Sequence, residues 1–242
     1  MEIFQDDAII LHSSRLNEHD LLLDLLCKSH GKIKAVAKFG ATSKKRALYQ
    51  ALNQIQLQAK SRINGQIVQI EAELLTPFFA LVMNDRLGTL ILQSANELCH
   101  NFLPEKERNT AIYHDLLGLY SIAVSGQNLL VSYAFFELKL LQYCGYGLQL
   151  KQCVATGSCD DLRYISPKTG GAVCYEAGKP YHDKLFSMPK FYANDVAPSN
   201  ADITQALEIN QYFIKKFLCE EQNKKLPTTR ERLMMILPLA EC

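Results

Sequence analysis

Over the first seventy-five residues, hydrophobic positions recur with the short period of β-strands, and beyond residue 76 they recur every three or four. Ala8-Ile-Ile-Leu-His reads as a first strand and Asp20-Leu-Leu-Leu-Asp-Leu-Leu-Cys as a second, although the apolar run 21–26 taken alone also fits part of a helix. Gly31-Lys-Ile-Lys-Ala-Val-Ala-Lys alternates cleanly, setting Ile33, Ala35 and Ala37 against Lys32, Lys34 and Lys38. That places three lysines on one face. Ile55-Gln-Leu-Gln-Ala-Lys alternates again, and after a turn signal at Asn64-Gly65 a last strand runs over residues 66–75. Thr76-Pro77 breaks the pattern. Residues 85–103, with Leu87, Leu90, Ile91, Ala95 and Leu98, then describe one helical face, and 110–124 a second, ended by Ser125-Gly126. Residues 127–144 are apolar on more than one side, as a central buried helix would be, with Gly145-Tyr-Gly as its C-terminal cap. Between 150 and 199 the helical pattern lapses. It resumes at Asn200-Ala-Asp-Ile-Thr, which reads as an N-cap, and Pro227-Thr-Thr-Arg opens a short last helix through Ile236.

Five strands in about seventy residues suit a small closed barrel of the OB type, whose exposed strands and loops commonly bind single-stranded nucleic acid. The expected fold class is α+β: an OB-type barrel in residues 1–78, then a helical domain in 79–242 with a loop-rich, cysteine-containing insert at about 150–199. Residues 39–46 should leave the barrel between its third and fourth strands, and Arg15 and Glu18 are expected to fix its first turn by an ion pair. Composition agrees with a globular chain, at 48% hydrophobic and 21% charged. No apolar run approaches the roughly 18 residues that span a bilayer, and the N-terminus begins acidic. The expectation is a soluble cytoplasmic protein with no membrane partner. The eight cysteines are scattered through a chain too large to need stapling, so reduced, largely buried thiols are expected.

Charge changes the picture more than composition does. The chain has a formal charge of only +1, yet residues 28–62 carry nine Lys or Arg and no Asp or Glu. Local concentration of cations is what polyanion binding needs, because neutralising several phosphates at once releases condensed counterions. The candidate DNA contacts are Lys32, Lys34, Lys38, Lys44, Lys45, Arg46, Lys60 and Arg62. A solvated face of lysines, or an adaptor whose basic stretch docks an acidic protein, would carry the same charge. Catalysis has little support. There is no phosphate loop, dinucleotide fingerprint or nucleophile elbow, the six histidines are dispersed, and carboxylate pairs such as Asp6-Asp7 and Asp160-Asp161 lack the further ligands of a two-metal site. No catalytic residue is assigned.

Four motifs in order resemble one family. Asp7-Ala-Ile-Ile-Leu, Arg15-Leu-Asn-Glu-His-Asp-Leu-Leu-Leu, His30-Gly-Lys-Ile-Lys-Ala-Val-Ala-Lys-Phe-Gly-Ala and Phe136-Glu-Leu-Lys-Leu-Leu-Gln-Tyr-Cys-Gly-Tyr-Gly-Leu-Gln-Leu-Lys-Gln-Cys are similar to the RecO recombination mediators of bacterial DNA repair. The pattern departs from that family at Asn17, where glycine is usual, and at Thr42, where a basic residue is usual. The resemblance implies an OB-fold on a helical domain, binding of single- and double-stranded DNA, and strand annealing without cofactor hydrolysis. It also implies help in loading recombinase onto strands coated by single-stranded DNA-binding protein, and a place at the nucleoid in the bacterial cytoplasm. The implied partners are RecR and the acidic C-terminal tail of single-stranded DNA-binding protein. For that tail, Phe136, Lys139 and Tyr143 offer a candidate groove. Many family members carry a zinc ribbon with two Cys-x-x-Cys pairs. Here Cys153 is followed by Thr156 and Cys174 by Ala177, and Cys159 and His182 do not complete a knuckle. Neither a metal nor a cofactor is expected.

Overall fold

The computed structural model describes residues 2–61, 67–193 and 196–237, arranged in two compact units, Met1–Leu129 and Leu130–Cys242. In the first unit, β1 (Glu2–Arg15), β2 (Leu21–Cys27), β3 (Gly31–Ala37), β4 (Gln54–Ser61) and β5 (Ile67–Thr76) close a barrel in the order β1-β2-β3-β5-β4. Only the β3–β5 pairing is parallel. The apolar run 21–26 is a strand, because both its edges are paired, one to β1 and one to β3. Ile33, Ala35 and Ala37 point into the barrel beside Leu23, Leu25, Ile55 and Leu57. Full burial of each leucine or isoleucine contributes about 1.5–3 kcal/mol. The β2–β3 turn needs a glycine. Gly31 has φ +68°, and a Cβ there would sit 2.1 Å from the carbonyl oxygen of Glu107.

β1 is much longer than the five residues its apolar core suggests, since it pairs with β2 along one edge and β4 along the other. Its register slips between Ile10 and His12, a β-bulge that brings the Ile10 and Leu11 carbonyls within reach of a helix side chain, the Ile10 carbonyl also taking the Leu52 amide at 2.9 Å. Buried Asn96 answers them. Its Nδ2 donates to the carbonyls of Ile10 (3.2 Å) and Leu11 (2.6 Å), while its Oδ1 accepts from the Tyr120 hydroxyl at 2.7 Å. That clasp joins the barrel to α2 (Arg86–Phe102) and α3 (Thr110–Ser125), which follow the short α1 (Phe78–Val82). Asp85 and Asn109 cap α2 and α3 by accepting from the amides of Leu87 and Ala111, and left-handed Gly126 ends α3.

The second unit opens with α4 (Leu129–Tyr143), whose buried face includes Tyr133, Phe136, Leu140 and Leu141. The stretch expected to be loop-rich holds a small sheet instead. β6 (Gln149–Cys153), β7 (Leu162–Ile165), β8 (Gly171–Cys174) and β9 (Phe186–Ser187) pair in the order β6-β8-β7-β9, with α5 (Tyr175–Gly178) between β8 and β9 and α6 (Lys190–Ala193) after β9. Strands of two to five residues are too short to establish a period. Next come α7 (Asn200–Phe213), a π-helical turn (Ile214–Glu220) and α8 (Thr228–Ile236). The N-cap of α7 is Ser199 and not Asn200, because Ser199 and Asp202 form a reciprocal capping box.

A buried ion pair crosses this unit's core. Arg230 Nε donates to Glu137 Oε1 at 2.5 Å and its Nη2 to Glu137 Oε2 at 3.2 Å, with both side chains fully buried. Leu207 O accepts from Arg230 as well, and Asn210 bridges Glu137, the Ala134 carbonyl and the Tyr192 hydroxyl.

Candidate nucleic-acid interface

The basic stretch splits into two parts with different fates. Strand alternation does turn Lys32 and Lys34 outward from the barrel, but the chain covers that face. The Lys106 amide donates to Lys32 O at 2.8 Å and a bridge links Lys32 to Glu105. Lys32 is only 8% exposed and its Nζ donates to the carbonyl of His100 at 2.9 Å, so it cannot reach a phosphate. Lys34 pairs with Glu105 at 2.8 Å, which lifts the lysine pKa and holds the glutamate below its ordinary value. The two charges largely cancel there. Periodicity identified the outer face correctly, but a carboxylate and a carbonyl seventy residues away decide what that face offers.

The basic residues from Lys38 to Arg46 stay open, around a buried Gly40. Lys38, Lys44, Lys45 and Arg46 are exposed on the connection between β3 and β4, and Phe39 is 60% exposed beside them. Lys44, Lys45 and Arg46 make no side-chain hydrogen bond or ion pair among the described residues. This loop is tied down. Amides of Lys45 and Arg46 donate to Thr42 O at 3.1 and 2.9 Å, the Ala41 amide reaches His19 O, and Asn53 Nδ2 donates to the carbonyls of Ala47 and Leu48. Tyr49, 2% exposed, plugs it into the barrel core.

The other anchor is the β1–β2 turn. An ion pair between Arg15 and Glu18 was the expectation for this turn, and the structure replaces it with amide chemistry. Asn17 Oδ1 accepts from the amides of His19 and Asp20 at 2.9 and 2.8 Å, and Asn17 Nδ2 donates to Asp20 Oδ2. Asp20 Oδ1 takes the Phe39 amide at 2.9 Å. The Asn17 bond, then the Phe39 amide, hold the Asp20 carboxyl below its usual value. Short polar side chains bond locally in turns more readily than long charged ones. Arg15 is thereby left exposed, with no partner among the described residues.

Lys60 lies exposed on β4, on the outer side with Gln56 and Gln58, and Arg62 falls outside the described residues. On α4, Phe136 is 3% exposed and belongs to the packed interior, Lys139 is exposed and Tyr143 is half-buried. An aromatic at that spacing is a core residue here, so the three do not form a groove together. Nothing in the sequence marked Glu137, because an acid within an apolar helix looks like a surface position until its partner Arg230 is known.

All cysteines among the described residues are free thiols. The Cys153 sulfur accepts the Cys174 amide at 3.3 Å, and Thr156 Oγ1 lies 3.6 Å from the Cys174 sulfur. Burial would push the Cys153 thiol up, but bonds from the Thr156 hydroxyl and nearby amides hold it at about 6. Thr156 thus occupies a knuckle where a second thiolate would stand, and Ala177 packs on the same cluster. That donor set does not fit tetrahedral zinc. Among the described residues no group of three or more potential ligands converges, and no helix is long and apolar enough to cross a membrane.

Comparison with known proteins agrees with this architecture. Residues 1–78 match the family described as Recombination protein O N terminal, and residues 83–226 match Recombination protein O C terminal. The chain is 31% identical over 239 residues to a DNA repair protein RecO of Caulobacter vibrioides, covering 98% of both chains. It is 30% identical to the proteins of that name from Rhodospirillum centenum, covering 95% of this chain and 92% of that one, and from Orientia tsutsugamushi, covering 96% of each. The chain therefore belongs to the RecO family of DNA repair proteins.

Proposed function

We propose that this protein holds DNA on the loop between β3 and β4 and anneals complementary strands, with no chemical step of its own. The observation that carries the reading is the group of exposed cations, Lys38, Lys44, Lys45 and Arg46, on a loop pinned to an OB-type barrel. A pinned loop keeps these cations close together on one surface, so several neighbouring phosphates are neutralised with little loss of backbone freedom, and that attraction is blind to sequence. Two strands gathered on one surface repel each other less and meet more often. As a mediator the protein would engage strands coated by single-stranded DNA-binding protein, take that protein's acidic C-terminal tail, and work with RecR to let recombinase load. Its place would be the nucleoid in the bacterial cytoplasm. Lys139 and Tyr143 are the starting points for a tail site.

Annealing of complementary labelled oligonucleotides, followed by fluorescence quenching with no nucleotide and with a chelator present, tests this. Pairing well above the spontaneous rate is expected. A requirement for ATP hydrolysis or for a metal would overturn the proposal. Absence of annealing together with capture of an acidic tail peptide would turn it into a protein-docking adaptor.

A further inference from the structure

Beside the basic loop lies a cavity of about 300 Å3, near the lower end of the size range for small-ligand sites. It opens between the C-terminal part of β1 and residues 41–51, and His12, Ser13, Arg15, Arg46 and Tyr49 are among the residues that line it. No carboxylate lines it. Neither Arg15 nor Arg46 has a hydrogen-bond or ion-pair partner among the described residues, and the Ser13 hydroxyl has none either. Two unneutralised guanidinium groups lining one concavity repel each other, and an anion between them removes that cost. A guanidinium presents a planar fork of N–H donors that matches two oxygens of a phosphate, which an ammonium group cannot do. Tyr49, whose ring is buried in the barrel core, is also in the lining, and the selection for an anion comes from the two guanidinium groups.

We infer that this cavity seats one phosphate group of a nucleic-acid strand, gripped by Arg15 and Arg46, with Ser13 as an added donor. The inference rests on the reading of the loop as the DNA surface: Arg46 belongs to both, so a strand lying along Lys44 and Lys45 passes the mouth of the cavity. The phosphate is either an internal diester of that strand or the monoester at its end.

The test uses the full chain with Arg15→Ala, Arg15→Lys and, separately, Lys44→Ala with Lys45→Ala. Each is titrated with a thymidine oligonucleotide bearing a 5′-hydroxyl and with the same strand bearing a 5′-phosphate. Loss of a bidentate charged contact should weaken binding by roughly 10- to 100-fold in Arg15→Ala. Arg15→Lys should lose most of that affinity while keeping the wild-type salt slope, because the charge stays and the fork goes. Equal loss for both oligonucleotides identifies a diester, and loss confined to the phosphorylated strand identifies an end. If Arg15→Ala binds both strands as the wild type does while the lysine pair binds weakly, the cavity proposal is overturned and the loop reading stands. If the wild type binds neither strand, the loop reading falls. The phosphorus resonance of inorganic phosphate then decides the cavity, which is upheld if wild type broadens the line and Arg15→Ala does not, and refuted if the two behave alike.

Discussion

Replacing Lys44, Lys45 and Arg46 together with Glu should abolish DNA binding at moderate salt and leave the protein folded. The three side chains make no bonds within the described residues, and the amides of Lys45 and Arg46 that shape the loop survive any substitution except proline. Surface changes of this kind usually alter stability by no more than about 0.5 kcal/mol. Binding should respond far more strongly, because three attractions become three repulsions. If roughly five phosphates of a single strand are neutralised, the wild-type slope of log affinity against log salt should be about −3 to −4. Losing two or three of those contacts should flatten it by about 1.4 to 2. Alanine at the same positions should weaken binding less than glutamate does. A folded triple variant with unchanged affinity and unchanged slope would reduce the cluster to a solvated loop.

The second large effect concerns stability. Changing Arg230 to Met should destabilise the protein by about 3–5 kcal/mol, because it strands the Glu137 carboxylate in a fully buried site. Asn210 Nδ2 still donates to that carboxylate at 3.2 Å, but a neutral amide does not replace a paired guanidinium. Urea unfolding should show the loss as an earlier transition. Changing Glu137 to Leu and Arg230 to Met together should recover most of it, since removing both charges also removes the desolvation penalty they share. An Arg230→Met variant within about 1 kcal/mol of wild type would contradict this account of the core.

Much of the barrel was legible in the sequence, because period-2 alternation and turn residues are local properties. Ile33, Ala35 and Ala37 went inward as their spacing required, and the loop to Arg46 left the barrel between the third and fourth strands. What alternation could not supply was the environment of the outward face. Lys32 and Lys34 looked like Lys44 and Lys45 in sequence, and only the fold of residues 100–106 separates them. Arg15 failed for the opposite reason, since a nearby acid suggested a pair that Asn17 and Asp20 made unnecessary. The small sheet around Cys153 and Cys174 was hidden by strands shorter than any period. Glu137 and Arg230 lie 93 residues apart, beyond any local pattern.

The most direct test of where DNA lies is photochemical. An oligonucleotide carrying 4-thiothymidine, irradiated in complex with the full-length protein and digested for mass spectrometry, reports the residues that touch bases. The account predicts adducts concentrated in the peptide spanning residues 38–51, with exposed Phe39 as a prime acceptor. Adducts confined to residues 215–232, with none on the β3–β4 loop, would contradict it.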